Sequence, residues 1–138
     1  MKPWYLLLFL LFFACAEPVD HVISTFGDGS PKVVYSYLES DSLNRTETHF
    51  YSNGAIFKKG DMKAGKRDGK WQSFYENGTP WSVHYYQDGL KHGDFTAWHA
   101  NGNIHILSFF DQGQKVGNWV FFDEKGDTAL VKEFSPSN

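Results

Sequence analysis

The segment Gly69-Lys-Trp-Gln-Ser-Phe-Tyr-Glu-Asn-Gly78 returns as Gly93-Asp-Phe-Thr-Ala-Trp-His-Ala-Asn-Gly102, and again as Gly117-Asn-Trp-Val-Phe-Phe-Asp-Glu-Lys-Gly126. The step is 24 residues both times (93 less 69, 117 less 93). A fixed period of this size signals a repeat architecture, whose units bury their apolar faces only against one another. Three glycine columns carry it: Gly54, Gly78, Gly102 and Gly126; Gly65, Gly89 and Gly113; Gly69, Gly93 and Gly117. Glycine recurring in register marks backbone positions that need positive φ or a close approach.

Between the glycines lie short aromatic runs. Trp71 to Tyr75, Phe95 to His99 and Trp119 to Asp123 read as strands ending at Asn-Gly or, in the last unit, Lys-Gly. Asn-Gly favours a type I′ hairpin turn, which needs positive φ at both central residues. A second strand follows in each unit, at Thr79 to Tyr86, Asn103 to Phe110 and Asp127 to Phe134. A connecting loop then runs through the Gly65-to-Gly69 segment and its copies. Each unit is therefore a hairpin, and neighbouring hairpins are expected to pair edge to edge. The predicted fold is all-β: an elongated, single-layer antiparallel meander of β-hairpin repeats over residues 26–134, followed by a short tail at 135–138. Phe26-Gly-Asp-Gly-Ser-Pro31 reads as an opening half-unit. Trp71, Phe95 and Trp119 form one aromatic column; Phe50, Phe74, Trp98 and Phe122 form another. Cross-strand ring pairs of this kind contribute about 0.2–1 kcal/mol each. Residues 71 and 74 differ in parity, so rings are expected on both faces. An exposed apolar strip among them would mark a partner surface.

The N-terminus is of another kind. After Met1-Lys-Pro the residues from Trp4 to Ala14 are all apolar. This run is too short for a comfortable span, which takes roughly 20 residues, and fits a signal peptide over residues 1–14. Cys15, the single cysteine, stands at its end. With Ala14 before it, Cys15 resembles the lipidated cysteine of a bacterial lipobox, although Phe12 and Phe13 stand where Leu and a small residue are usual. The resemblance implies a protein lipid-anchored to a membrane of the bacterial envelope. Cleavage after Ala16, giving a secreted or periplasmic chain, is the other reading. Residues 15–25, with Glu17 and Asp20, read as a polar tether.

The pattern Asp-Gly-x-x-x-Gly-x-aromatic-x-x-aromatic-x-x-Asn-Gly, seen in Asp88-Gly-Leu-Lys-His-Gly93 with Phe95, Trp98 and Asn101-Gly102, resembles the variant MORN repeat. Proteins with such repeats are often labelled YwqK-type antitoxins. The resemblance implies hairpin repeats and a scaffolding or interaction role, and no chemistry. It extends over about residues 26 to 134.

For function, the net charge of -3 gives no electrostatic footprint for nucleic acid, which needs a clustered basic face, and no nucleic-acid partner is expected. One cysteine excludes an intrachain disulfide. No nucleophile elbow is present, and the six histidines show no zinc-ligand spacing; His84, His99 and His105 are the ones that adjacent strands would bring near one another. No enzyme activity, metal or cofactor is expected. The expected function is protein–protein or membrane-surface interaction by an envelope lipoprotein, through an unknown protein or an envelope polymer. The alternative is an antitoxin or immunity-type protein that neutralises a toxic partner. Candidate binding residues are Trp71, Phe95, Trp119 and Trp98, with Arg67, Lys91 and Lys115. These three cations share one column, in the middle of the connecting loop, and would line one edge of the array as a ladder for anionic groups.

Overall fold

The computed structural model describes residues 16–136, so the leader and Cys15 lie outside the described residues. Ten strands form one open antiparallel sheet in chain order, β1 (Val19–Thr25) through β2 (Pro31–Leu38), β3 (Asp41–Phe50), β4 (Ile56–Lys63), β5 (Lys66–Phe74), β6 (Pro80–Gln87), β7 (Leu90–Trp98), β8 (Ile104–Asp111), β9 (Gln114–Phe122) and β10 (Thr128–Phe134). This is the meander that the period predicts. Contiguous hairpins make every pairing local, so no crossover is needed.

Three details differ from expectation. Residues 19–25, read as tether, form β1: Val22 pairs with Val34 and His21 with Tyr35. Val19, Val22 and Ile23 give this stretch strand propensity, and as the edge strand it leaves all three exposed. The second difference concerns the turns. Asn77-Gly78 is not type I′, since Gly78 alone has positive φ (84°). Gly78 N–H donates to the Tyr75 carbonyl and Tyr75 N–H to the Thr79 carbonyl, the pattern of a type I turn closed by a glycine bulge. The Asn77 side chain selects it, by accepting the Thr79 N–H at 3.0 Å. Type I′ geometry is found at the opposite ends of the hairpins. Both central residues of Ala64-Gly65, Asp88-Gly89 and Gln112-Gly113 have positive φ.

Thirdly, no loop separates Gly65 from Gly69. A two-residue turn joins β4 to β5, and Lys66 already pairs with Lys63. Each such turn is tied sideways to the preceding hairpin, with Gly65 N–H donating to Leu43, Gly89 to Arg67 and Gly113 to Lys91 carbonyls. Arg67, Lys91 and Lys115 therefore sit on β5, β7 and β9 rather than at a loop edge. The glycine that follows each of them by two residues opens a bulge. At β6–β7 the register jumps from His84↔Phe95 to Tyr86↔Lys91, placing Gly93 (φ 96°) in the extra segment.

The core is thin. Val34, Trp71, Ala97, Phe110 and Trp119 are its buried apolar members. Paired residues point to one face of a sheet. The register Gly60↔Trp71↔His84↔Phe95↔Ser108 therefore aligns one row on the ring-bearing face.

Candidate functional site

Ring contacts run continuously along one face. Trp71 meets Tyr86 edge-on at 6.2 Å, His84 stacks on Phe95 at 4.3 Å, and Phe110 meets Trp119 edge-on at 5.2 Å. Trp119 in turn contacts Phe134 at 5.5 Å. The packing is close enough that a Cβ on Gly60 would fall 2.3 Å from the Trp71 ring. Gly60 belongs to none of the three columns, so the period gave no signal for it. Its place is taken 24 residues on by His84 and then by Ser108.

Upon these rings lie the cations. The Arg67 guanidinium sits 4.4 Å from the Trp71 ring centroid and 5.4 Å from that of Tyr86, and donates to the Tyr86 hydroxyl at 3.2 Å. Lys91 Nζ is 4.9 Å over Phe110, and Lys115 Nζ is 4.6 Å over Trp119 and 5.3 Å over Phe134. Lys58 lies over Phe57 and Trp71 at 5.8 and 5.9 Å. Cation–ring attraction holds each charge against the sheet. Among the described residues none of these four forms an ion pair with a carboxylate; the ion pairs there are His21–Glu39, Arg45–Glu47, His49–Glu47 and His92–Asp111. Burial, followed by the nearby Arg67 and Lys115, holds the Lys91 ammonium below the usual lysine range. Lys58 is lowered by burial and then by Arg67, against a partial offset from Glu47. His84 is pushed down to about 4 by burial, then by Lys91 and Arg67, and so is neutral at pH 7.

The other face carries both signs, its aspartates lying among Lys59, Lys63, Lys66 and Lys70. Asp20, Ser36, Thr46, Asp61 and Asp68 are successive register partners. They alternate with Glu47 and Gly60 of the ring face and so point away from it. Thr46 donates to Asp61 at 2.7 Å.

Among the expected binding residues, Trp71 and Trp119 are only 3% and 5% exposed. They are the floor under Arg67 and Lys115 rather than a free platform. Phe95 is half-buried in the same row. Trp98 does not join them, because Ala97 faces the groove and alternation turns Trp98 the other way. The groove at the glycine-bulge end is lined by Lys58, Arg67, Trp81, His84, Tyr86 and His105, among others. Trp81, which the sequence reading passed over, is 43% exposed there. His99 and His105 do meet, at 4.2 Å between ring centroids, whereas His84 is stacked on Phe95 instead. No group of three or more metal-ligating side chains occurs among the described residues.

A further column escaped the sequence reading. Tyr51 donates to the Phe74 carbonyl at 2.9 Å, Tyr75 to the Trp98 carbonyl at 2.8 Å, and His99 Nε2 lies 2.9 Å from the Phe122 carbonyl. Each link runs from one hairpin to the next. The signal was present in the residue following each Phe50, Phe74 and Trp98.

No helix among the described residues is long and apolar enough to cross a membrane. No curated protein matches the chain. A family model described as MORN repeat variant matches residues 67–88 and 91–112, which are the hairpins β5–β6 and β7–β8, each beginning at a cation of the ring face. The chain thus contains two MORN repeat variants, within the wider stretch over which the same strand pattern continues.

Proposed function

We propose that this chain is a non-enzymatic interaction protein of the bacterial envelope, held to the membrane by lipid on Cys15, whose ring-lined cationic face engages an anionic partner. The repeats and the all-β sheet support an interaction role. The observation that carries the anionic partner is the set of four cations, Lys58, Arg67, Lys91 and Lys115, gathered on one face of a protein with net charge -3 and in no ion pair there, the Glu47 carboxylate of that face being engaged by Arg45 and His49. Uncompensated charge focused on one surface steers association with the opposite charge.

Two measurements test the two halves. Replacing Cys15 with Ala and fractionating cells should move the protein from the membrane to the soluble fraction; equal distribution of both forms overturns the anchor. For the face, the full chain in non-ionic detergent is titrated with polyglutamate at low salt. Changing Arg67, Lys91 and Lys115 together to Gln should weaken binding at least tenfold. An unchanged isotherm overturns the cationic face as the binding surface.

A further inference from the structure

The three cations of the repeat column are not merely on one face; they recur on every second strand, β5, β7 and β9, in a row whose other members are rings. Tyr86 pairs with Lys91 and Phe110 with Lys115, while Arg67 bonds to the Tyr86 hydroxyl and Lys115 lies over Phe134. Crossing the strands from β5 to β10, the row therefore reads Arg67, Tyr86, Lys91, Phe110, Lys115, Phe134. Strands lie about 4.8 Å apart, so cations on every second strand recur at about 9.6 Å. Each is held flat on aromatic surface, so the interval is set by the sheet.

We propose, resting on the anionic-partner reading above, that this row receives an acidic segment of a partner protein in the polyproline II conformation, with a carboxylate at every third residue. Polyproline II has three residues per turn and rises 3.1 Å per residue, so carboxylates at i, i+3 and i+6 face one side at intervals of about 9.3 Å. The mismatch to the row is about 0.3 Å per rung. A β-strand places same-side residues at about 6.8 Å. An α-helix repeats after two turns at about 10.8 Å, missing by about 1.2 Å per rung. Polyproline II is also preformed, which lowers the ordering cost of docking on a ring-lined surface. A sugar polymer of the same charge suits the face less well. Its hydroxyls call for carboxylate and carboxamide partners, and the six residues of the row include neither.

The test uses the full chain in non-ionic detergent, with binding followed by calorimetry. The probes are the peptide (Glu-Pro-Pro)3, a peptide of the same composition with its three glutamates adjacent, (Gln-Pro-Pro)3, and a linear polyuronate. The spaced acidic peptide should bind at least tenfold more tightly than the clustered one, with (Gln-Pro-Pro)3 showing no binding. Changing Lys115 alone to Gln should weaken (Glu-Pro-Pro)3 at least tenfold but (Glu-Pro-Pro)2, added as a further probe, only about twofold, since one of its two registers on the row remains. This second readout does not depend on the triple variant folding. Equal binding of spaced and clustered peptides overturns the spacing. Binding of polyuronate with no binding of any peptide overturns the peptide occupant while the anionic reading stands. Failure of every anion to bind overturns both.

Discussion

Two glycines show that one residue type meets two different demands. Gly60 has ordinary φ, but its missing side chain is the space filled by the Trp71 ring. Gly93 has room for a Cβ, whose nearest neighbour is Tyr85 at 3.5 Å, but its φ of 96° is one that side chains rarely adopt. Gly60→Ala is thus expected to cost about 1–3 kcal/mol through overpacking and to shift the Trp71 fluorescence. Gly93→Val is expected to cost about 1–3 kcal/mol through backbone strain, with the ring environment kept. Denaturant melts with fluorescence detection separate the two; a Gly60→Ala protein with native emission and midpoint would show that the ring has other space. The columns of the period announced Gly93. Nothing announced Gly60, since it exchanges with His84 and Ser108, and the demand on it comes from a partner eleven residues away in the chain and adjacent only in the sheet.

At the scale of the hairpin, the sequence carried strand order and pairing, because consecutive strands joined by short turns have few alternatives. It misled over turn type. Asn77-Gly78 has the composition of a type I′ turn, yet the Asn77 carboxamide binds Thr79 N–H and the local choice becomes type I with a bulge. Ala64-Gly65 has a weak turn signal and does adopt positive φ at both residues, 49° and 74°. The same stretch was read as a loop because its glycines interrupt the alternation by which strands are recognised, and the cations were misplaced with it. Ala64 is the poorest fit to its backbone in the β4–β5 turn. Ala64→Asn should therefore stabilise the protein by about 0.5–1 kcal/mol. A lower melting temperature for that variant would contradict the turn assignment.

Over the whole molecule, the register sorts the repeat cations onto the ring face, while the face behind mixes a row of aspartates with Lys59, Lys63, Lys66 and Lys70. The alternation of strand residues made such sorting possible to anticipate, but only the register showed which charges share a side. One consequence is a response to acid. His84 titrates near 4 in the fold against 6.5 ordinarily, so the folded state disfavours its protonation. Stability should be greatest above about pH 6.5 and decline as pH falls toward 4, because unfolding takes up a proton in that window. His49 and His105, both lowered chiefly by burial, act in the same direction. Denaturation midpoints across pH 4 to 7 should fall less steeply for His84→Gln than for the native chain, and equal slopes would mean that His84 is not held among cations. The most direct test of that shared cationic face is the titration of Lys91 by NMR, followed at its Cε and Nζ. Lys91 should deprotonate below 10.5, and its pKa should rise when Arg67 and Lys115 are both changed to Gln. A Lys91 that titrates at the ordinary lysine value, and is indifferent to those two substitutions, would contradict the gathering of the repeat cations on one ring-lined face.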